Sequence, residues 1–75
     1  MDKTIKNIVT QNLGITNDVV EKNSMFLNDL NSYYCWNPSR GGKQMIINKD
    51  AEKLVGSSSI NRKKLIEDFK GGKRN

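Results

Sequence analysis

Ile5, Ile8, Val9 and Leu13 recur at three- and four-residue spacing, which lays them along one stripe of a helix. Gly14 stands just beyond, where a helix commonly closes in a left-handed cap. The pattern predicts a first helix over about 3–13. After it the periodicity is mixed. Val19 and Val20 are apolar, and Phe26, Leu27 and Leu30 then follow Ser24, a candidate cap for a short second helix. The pattern leaves residues 19–31 between helix and loop.

The middle of the chain changes character. Tyr33-Tyr34-Cys35-Trp36 is aromatic and strand-like, and Asn37-Pro38-Ser39-Arg40-Gly41-Gly42 is dense in turn formers. Lys43-Gln44-Met45-Ile46-Ile47 reads as a second strand, Asn48-Lys49-Asp50 as a tight turn, and Glu52-Lys53-Leu54-Val55 as a third strand. Gly56 and Ser57-Ser58-Ser59 then break the pattern and offer caps. Ile60, Leu65, Ile66 and Phe69 supply the stripe of a last helix, which Gly71-Gly72 stops. The expected fold is α+β: an N-terminal helix, an optional short second one, a three-stranded antiparallel meander and a C-terminal helix. Residues 1–75 make one small domain, with 71–75 expected to be a mobile basic tail.

Size sharpens this picture. A chain of 75 residues buries only about 60% of the surface its unfolded form exposes, so stability is expected to be marginal. The apolar fraction of 35% and a mean hydropathy of −0.72 are low for a globular domain. Self-association is one way to bury more.

The residue types that are missing narrow the chemistry. There is no His, which removes the Ser–His–acid triad, the Cys–His nucleophile pair and imidazole metal ligation. The single Cys35 can neither close an intramolecular disulfide nor build a thiolate metal site, and mid-strand it reads as a small buried hydrophobe. No apolar run approaches the ~20 residues of a membrane span, and Asp2 and Lys3 stand where a signal peptide would be apolar. The expectation is a cytoplasmic protein that is not an enzyme, with no cofactor, catalytic residue or metal site. Asp18, Glu21, Asp29, Glu67 and Asp68 follow no metal-ligating or acid/base spacing and are expected to solvate the surface.

Charge is uneven. Residues 1–31 carry a net −1, residues 32–58 a net +2 and residues 59–75 a net +4. Arg62, Lys63, Lys64, Lys73 and Arg74, with Lys70, concentrate the positive charge at the C-terminal end, where they are candidates for phosphate contacts. Arg40 and Lys43 flank Gly41-Gly42, a turn able to converge backbone N–H groups on an anion, although its spacing is not that of a P-loop. Tyr34 and Trp36 share one face of their strand, Tyr33 and Cys35 the other. The better-buried aromatic pair is expected to pack on the helices as core, with Trp36 in it. The other is a candidate for base stacking or a protein contact.

Two resemblances follow from these residues. Ile8-Val9, Leu13-Gly14-Ile15, Val20, Phe26 and Asp29-Leu30 resemble the opening of an acyl carrier protein, which implies a helix, a loop and a short turn over residues 4–30. The Asp-Ser-Leu that would carry phosphopantetheine is replaced by Asn31-Ser32-Tyr33-Tyr34, so carrier function is not expected. The order α-β-β-β-α is similar to double-stranded-RNA-binding domains and to messenger-RNA-cleaving toxins of the HicA type. In the former, Arg62-Lys63-Lys64 would fall at the phosphate-gripping start of the last helix. The cleavage of the latter depends on a His, which this chain lacks.

The leading expectation is a small binding module for RNA, DNA or another polyanion, of the kind found among uncharacterised small bacterial or phage proteins. The alternative is a protein-interaction module (an inhibitor, an immunity or phage anti-defence protein, or a homodimer) that uses Tyr33, Tyr34 and Trp36 or a sheet edge.

Overall fold

A computed structural model describes all residues 1–75. Helix α1 (Lys3–Leu13) starts at Asp2, whose side chain accepts from the Ile5 N–H at 2.9 Å, and ends at Gly14 with φ +67°. Helix α2 (Asn17–Lys22) is a six-residue segment capped by Thr16. Four strands follow: β1 (Ser24–Leu27), β2 (Ser32–Trp36), β3 (Gln44–Asn48) and β4 (Lys53–Gly56). A single 3-10 turn, Asn28–Leu30, joins the first two. Helix α3 (Arg62–Lys70) closes the order, with Asn61 accepting from the Lys64 N–H at 2.8 Å.

The strands form one antiparallel meander in the order β1-β2-β3-β4. The α+β class, the meander and the C-terminal helix match expectation. The sheet, however, has four strands and not three. Ser24 opens the extra strand β1 and does not cap a helix, and Phe26 and Leu27 pair with Tyr33 and Ser32. Helical spacing of Phe26, Leu27 and Leu30 had a second source, a strand followed by a 3-10 turn.

The sheet is buried on both faces. Ile5, Val9 and Leu13 of α1 and Val20 of α2 pack on Cys35, Met45 and Ile47. Leu65 and Phe69 of α3 pack on the opposite face against Tyr34, Ile46 and Leu54. This two-sided burial explains the unbroken apolar run Met45-Ile46-Ile47, each residue 0% exposed. Gly56 makes room for α3, since a Cβ there would stand 3.0 Å from a Leu65 methyl. No helix is long and apolar enough to cross a membrane.

Residues 71–75, expected as a mobile tail, fold back onto the sheet and α3. The Asn75 backbone N–H donates to the Lys53 carbonyl at 2.9 Å. The Arg74 guanidinium lies 3.6 Å from the Phe69 ring centroid and donates to the Phe69 carbonyl at 2.8 Å.

Candidate functional site

The β2–β3 hairpin is built around Asn37. Its side-chain amide donates to the Leu13 carbonyl at 2.9 Å, and its Oδ1 accepts from the Ser39 N–H at 2.9 Å. Its backbone N–H donates to the Lys43 carbonyl, and the Gly42 N–H donates to the Ser39 carbonyl, both at 2.9 Å. Gly42 is required by close approach, since a Cβ there would meet Asn37 atoms at 2.7 Å. The Ser39 and Gly42 donors are therefore spent inside the turn. Arg40 and Lys43 remain exposed beside it.

Gln44 ties this hairpin to the approach to α3. Its Nε2 donates to the Ser57 carbonyl at 2.9 Å and also to the Ile60 carbonyl, while its Oε1 accepts from the Tyr34 hydroxyl at 2.7 Å. This buried amide fixes where Arg62 starts its helix relative to β2 and β3. The result is a shallow groove of about 250 Å³ whose lining includes Tyr34, Trp36, Lys43, Ser58, Ile60 and Arg62.

Trp36 and Tyr34 stack with ring centroids 5.5 Å apart at 27°. Tyr34 is buried, whereas Trp36 keeps part of its ring in solvent. The Arg62 guanidinium sits 5.8 Å from the Tyr34 ring centroid, and its Nη1 lies 3.7 Å from Met25 Sδ. Burial pushes the Tyr34 hydroxyl above its usual pKa, partly offset by the Arg62 charge, with the neighbouring Cys35 adding to the rise. A half-exposed indole flanked by two cations is the chemically distinctive feature of the surface. Nothing in comparisons with family models, curated proteins or solved structures matches this chain.

The other expected contacts fall elsewhere. Lys64 reaches Asp68 at 2.9 Å and Lys73 the same carboxylate at 3.8 Å, so two α3-end cations share one internal anion. The hydrogen bond from Lys64 holds the Asp68 carboxyl below the usual range and raises Lys64. Arg74 lies over Phe69, while Lys63 stays exposed. Tyr33 lies on the opposite face of β2, edge-on to Phe26 at 5.2 Å. Lys43 and Arg62 are thus the expected cations that join the aromatic pair in the groove; Arg40 does not line it. Gln44 and Asn37, which assemble the site, were missed as site residues. The available signal was a polar Gln at the head of an apolar strand.

A second depression of about 350 Å³ lies between the 3-10 turn and α3, where Asp29 and Lys70 share the wall. Its charges offset. It lacks the one-signed character of the groove.

Proposed function

We propose that the chain is a non-enzymatic binding module whose groove takes single-stranded nucleic acid, with a base on Trp36 and phosphates at Lys43 and Arg62. The observation that carries the reading is the convergence of an indole and two cations from three separate segments. Base–aromatic stacking contributes about 1–3 kcal/mol per base, and each cation adds salt-sensitive affinity. An unpaired base can reach a half-exposed ring; a stacked base pair in a duplex cannot.

The polar amides beside the groove support sequence-tolerant binding. Asn37 spends its side chain on Leu13 and Ser39, and Gln44 spends its own on Tyr34, Ser57 and Ile60. Neither is left to read a base edge. Lys63 and Arg40 are exposed and add to the positive charge of the surface.

Trp36 is the only tryptophan, so the test needs no label on the protein. Titration with oligo(dT), oligo(U) and a duplex of matched length is expected to quench its fluorescence for the single strands, with affinity falling steeply as salt rises. Unchanged Trp36 emission together with flat anisotropy of labelled oligonucleotides at low salt would overturn the reading. The protein-interaction reading draws its support from the far edge of the sheet, where the outward backbone groups of β1 have no partner.

A further inference from the structure

The two outer edges of the sheet are treated differently. The Asn48 N–H donates to the Glu52 carbonyl, and alternation along the antiparallel ladder then turns the backbone groups of Leu54 and Gly56 inward and those of Lys53 and Val55 outward. Asn75 occupies that outer edge. Besides its backbone contact with Lys53, its Oδ1 accepts from the Val55 N–H at 2.8 Å and its Nδ2 donates to the Val55 carbonyl at 3.0 Å. A side-chain amide here does the work of another strand.

At β1 the same alternation runs without a plug. The Trp36 N–H donates to the Asn23 carbonyl at 3.1 Å, so Met25 and Leu27 bond to β2 while the N–H and C=O of Ser24 and Phe26 point outward. Met25 and Phe26 are 42% and 40% exposed and lie on opposite faces of this edge. No charge interrupts Ser24-Met25-Phe26-Leu27. Shortness is the one blunting device within this four-residue strand, which holds no proline, bulge or charge, while Lys49 lies 5.8 Å from the Phe26 ring centroid and Arg62 lies against Met25.

We propose that β1 is a self-pairing edge, and that it takes β1 of a second copy in antiparallel register about a two-fold axis at Met25. That register sets Ser24 of each chain against Phe26 of the other, so all the outward backbone groups of both strands are satisfied at once. Met25 then faces its own counterpart in a non-hydrogen-bonded pair, where side chains approach most closely. Charge at the two strand ends agrees with this orientation, moderated by Glu21 beside Lys22 and by Lys70 beside Asp29. Lys22 precedes the strand and Asp29 follows it; both are exposed and neither has an ion-pair partner within the chain. Antiparallel pairing carries the Lys22 end of one copy to the Asp29 end of the other, whereas a parallel arrangement would set like against like. The product is a continuous eight-stranded sheet.

Sedimentation velocity from about 10 µM to about 1 mM tests the association, which mass action makes concentration-dependent. The expected result is a monomer–dimer shift with rising concentration. Phe26→Pro removes an outward N–H that the monomer does not use, so it is expected to stay monomeric with an unchanged far-UV spectrum. Register is tested by Met25→Cys in a Cys35→Ala background. Opposed residues of a non-hydrogen-bonded pair have Cα atoms about 4.5 Å apart, within the range a disulfide spans. Mild oxidation is expected to crosslink this variant at least tenfold faster than an exposed control, Ser58→Cys. A monomer at every concentration would overturn the proposal, as would a folded Phe26→Pro that still dimerises. Should Phe26→Pro fail to fold, Met25→Cys decides: crosslinking no faster than the control overturns it. A shift seen only with an added extended peptide would transfer the edge to a different partner and overturn self-pairing.

Discussion

The Tyr34 hydroxyl and the Gln44 side-chain amide meet at 2.7 Å in the layer between the sheet and α3, one strand apart and on the same face. The amide's nitrogen is shared between the carbonyls of Ser57 and Ile60, so one buried residue supplies partners to three groups, one on β2 and two in the loop that leads into α3. Leaving a buried donor or acceptor unsatisfied costs about 1–3 kcal/mol. Gln44→Ala is therefore expected to lower unfolding free energy by about 2–4 kcal/mol in urea titrations. Tyr34→Phe, which leaves the amide its other two bonds, is expected to cost about 1 kcal/mol. Equal effects would mean that the Ser57 and Ile60 contacts contribute nothing.

Placement, not charge count, is expected to decide nucleic-acid affinity. Lys43→Gln and Arg62→Gln should each reduce the slope of log affinity against log salt by roughly 1. Lys64→Gln and Lys73→Gln should change it little, because both cations already face Asp68. Asp68→Asn should release them and strengthen binding at low salt. Uniform loss across all four cation variants, read by anisotropy, would point to a diffuse field and against the groove.

Cys35 is 0% exposed, and burial pushes its thiol from 9.0 up to about 12. The native protein is expected to react slowly with a thiol reagent at pH 8 and fully once unfolded. The folded state keeps the proton that the unfolded state releases above 9.0, so stability falls as pH rises through that value toward about 12. The limiting slope is about 1.4 kcal/mol per pH unit for this group. Cys35→Ala should lose this component, a difference visible in parallel denaturation series at pH 8 and 10.

Backbone strain offers a cleaner stability test. Ala51 has φ +66° in the β3–β4 turn, where Asn48 Oδ1 accepts from the Asp50 and Glu52 N–H groups. A left-handed conformation costs a non-glycine residue about 1–2 kcal/mol. Ala51→Gly should raise the melting temperature, with a net gain of about 0.5–1 kcal/mol after glycine's larger unfolded-state entropy. Gly42→Ala should lower it, because its Cβ would collide with Asn37.

Much of the fold was legible because its signals are local. The stripe Ile5-Val9-Leu13 ends at Gly14, and the hairpin sequences Asn37–Gly42 and Asn48–Asp50 sit between apolar runs. Strand β1 was not legible. It lies at an edge with Met25 and Phe26 both exposed, so burial on one face imposes no alternation, and its apolar residues also satisfy a helical period. The site divided in the same way. Lys43, Arg62, Tyr34 and Trp36 could each be named from residue type, but periodicity within an element says nothing about distances between elements. What joins them is the reach of the Gln44 amide to Ile60, a tertiary contact with no local signature.

Strand β3 contributes Met45 and Ile47 to the α1 layer and Ile46 to the α3 layer, so the two half-cores share a single backbone. Neither half can lose its order without uncovering apolar side chains of the strand on which the other rests. Local fluctuations that free α3 would strip cover from Ile46 and loosen the strand on which α1 rests. The β3 amides should therefore exchange with solvent only through global opening, and both layers should melt in one cooperative step. In so small a chain the central strand is the device that makes unfolding all-or-none.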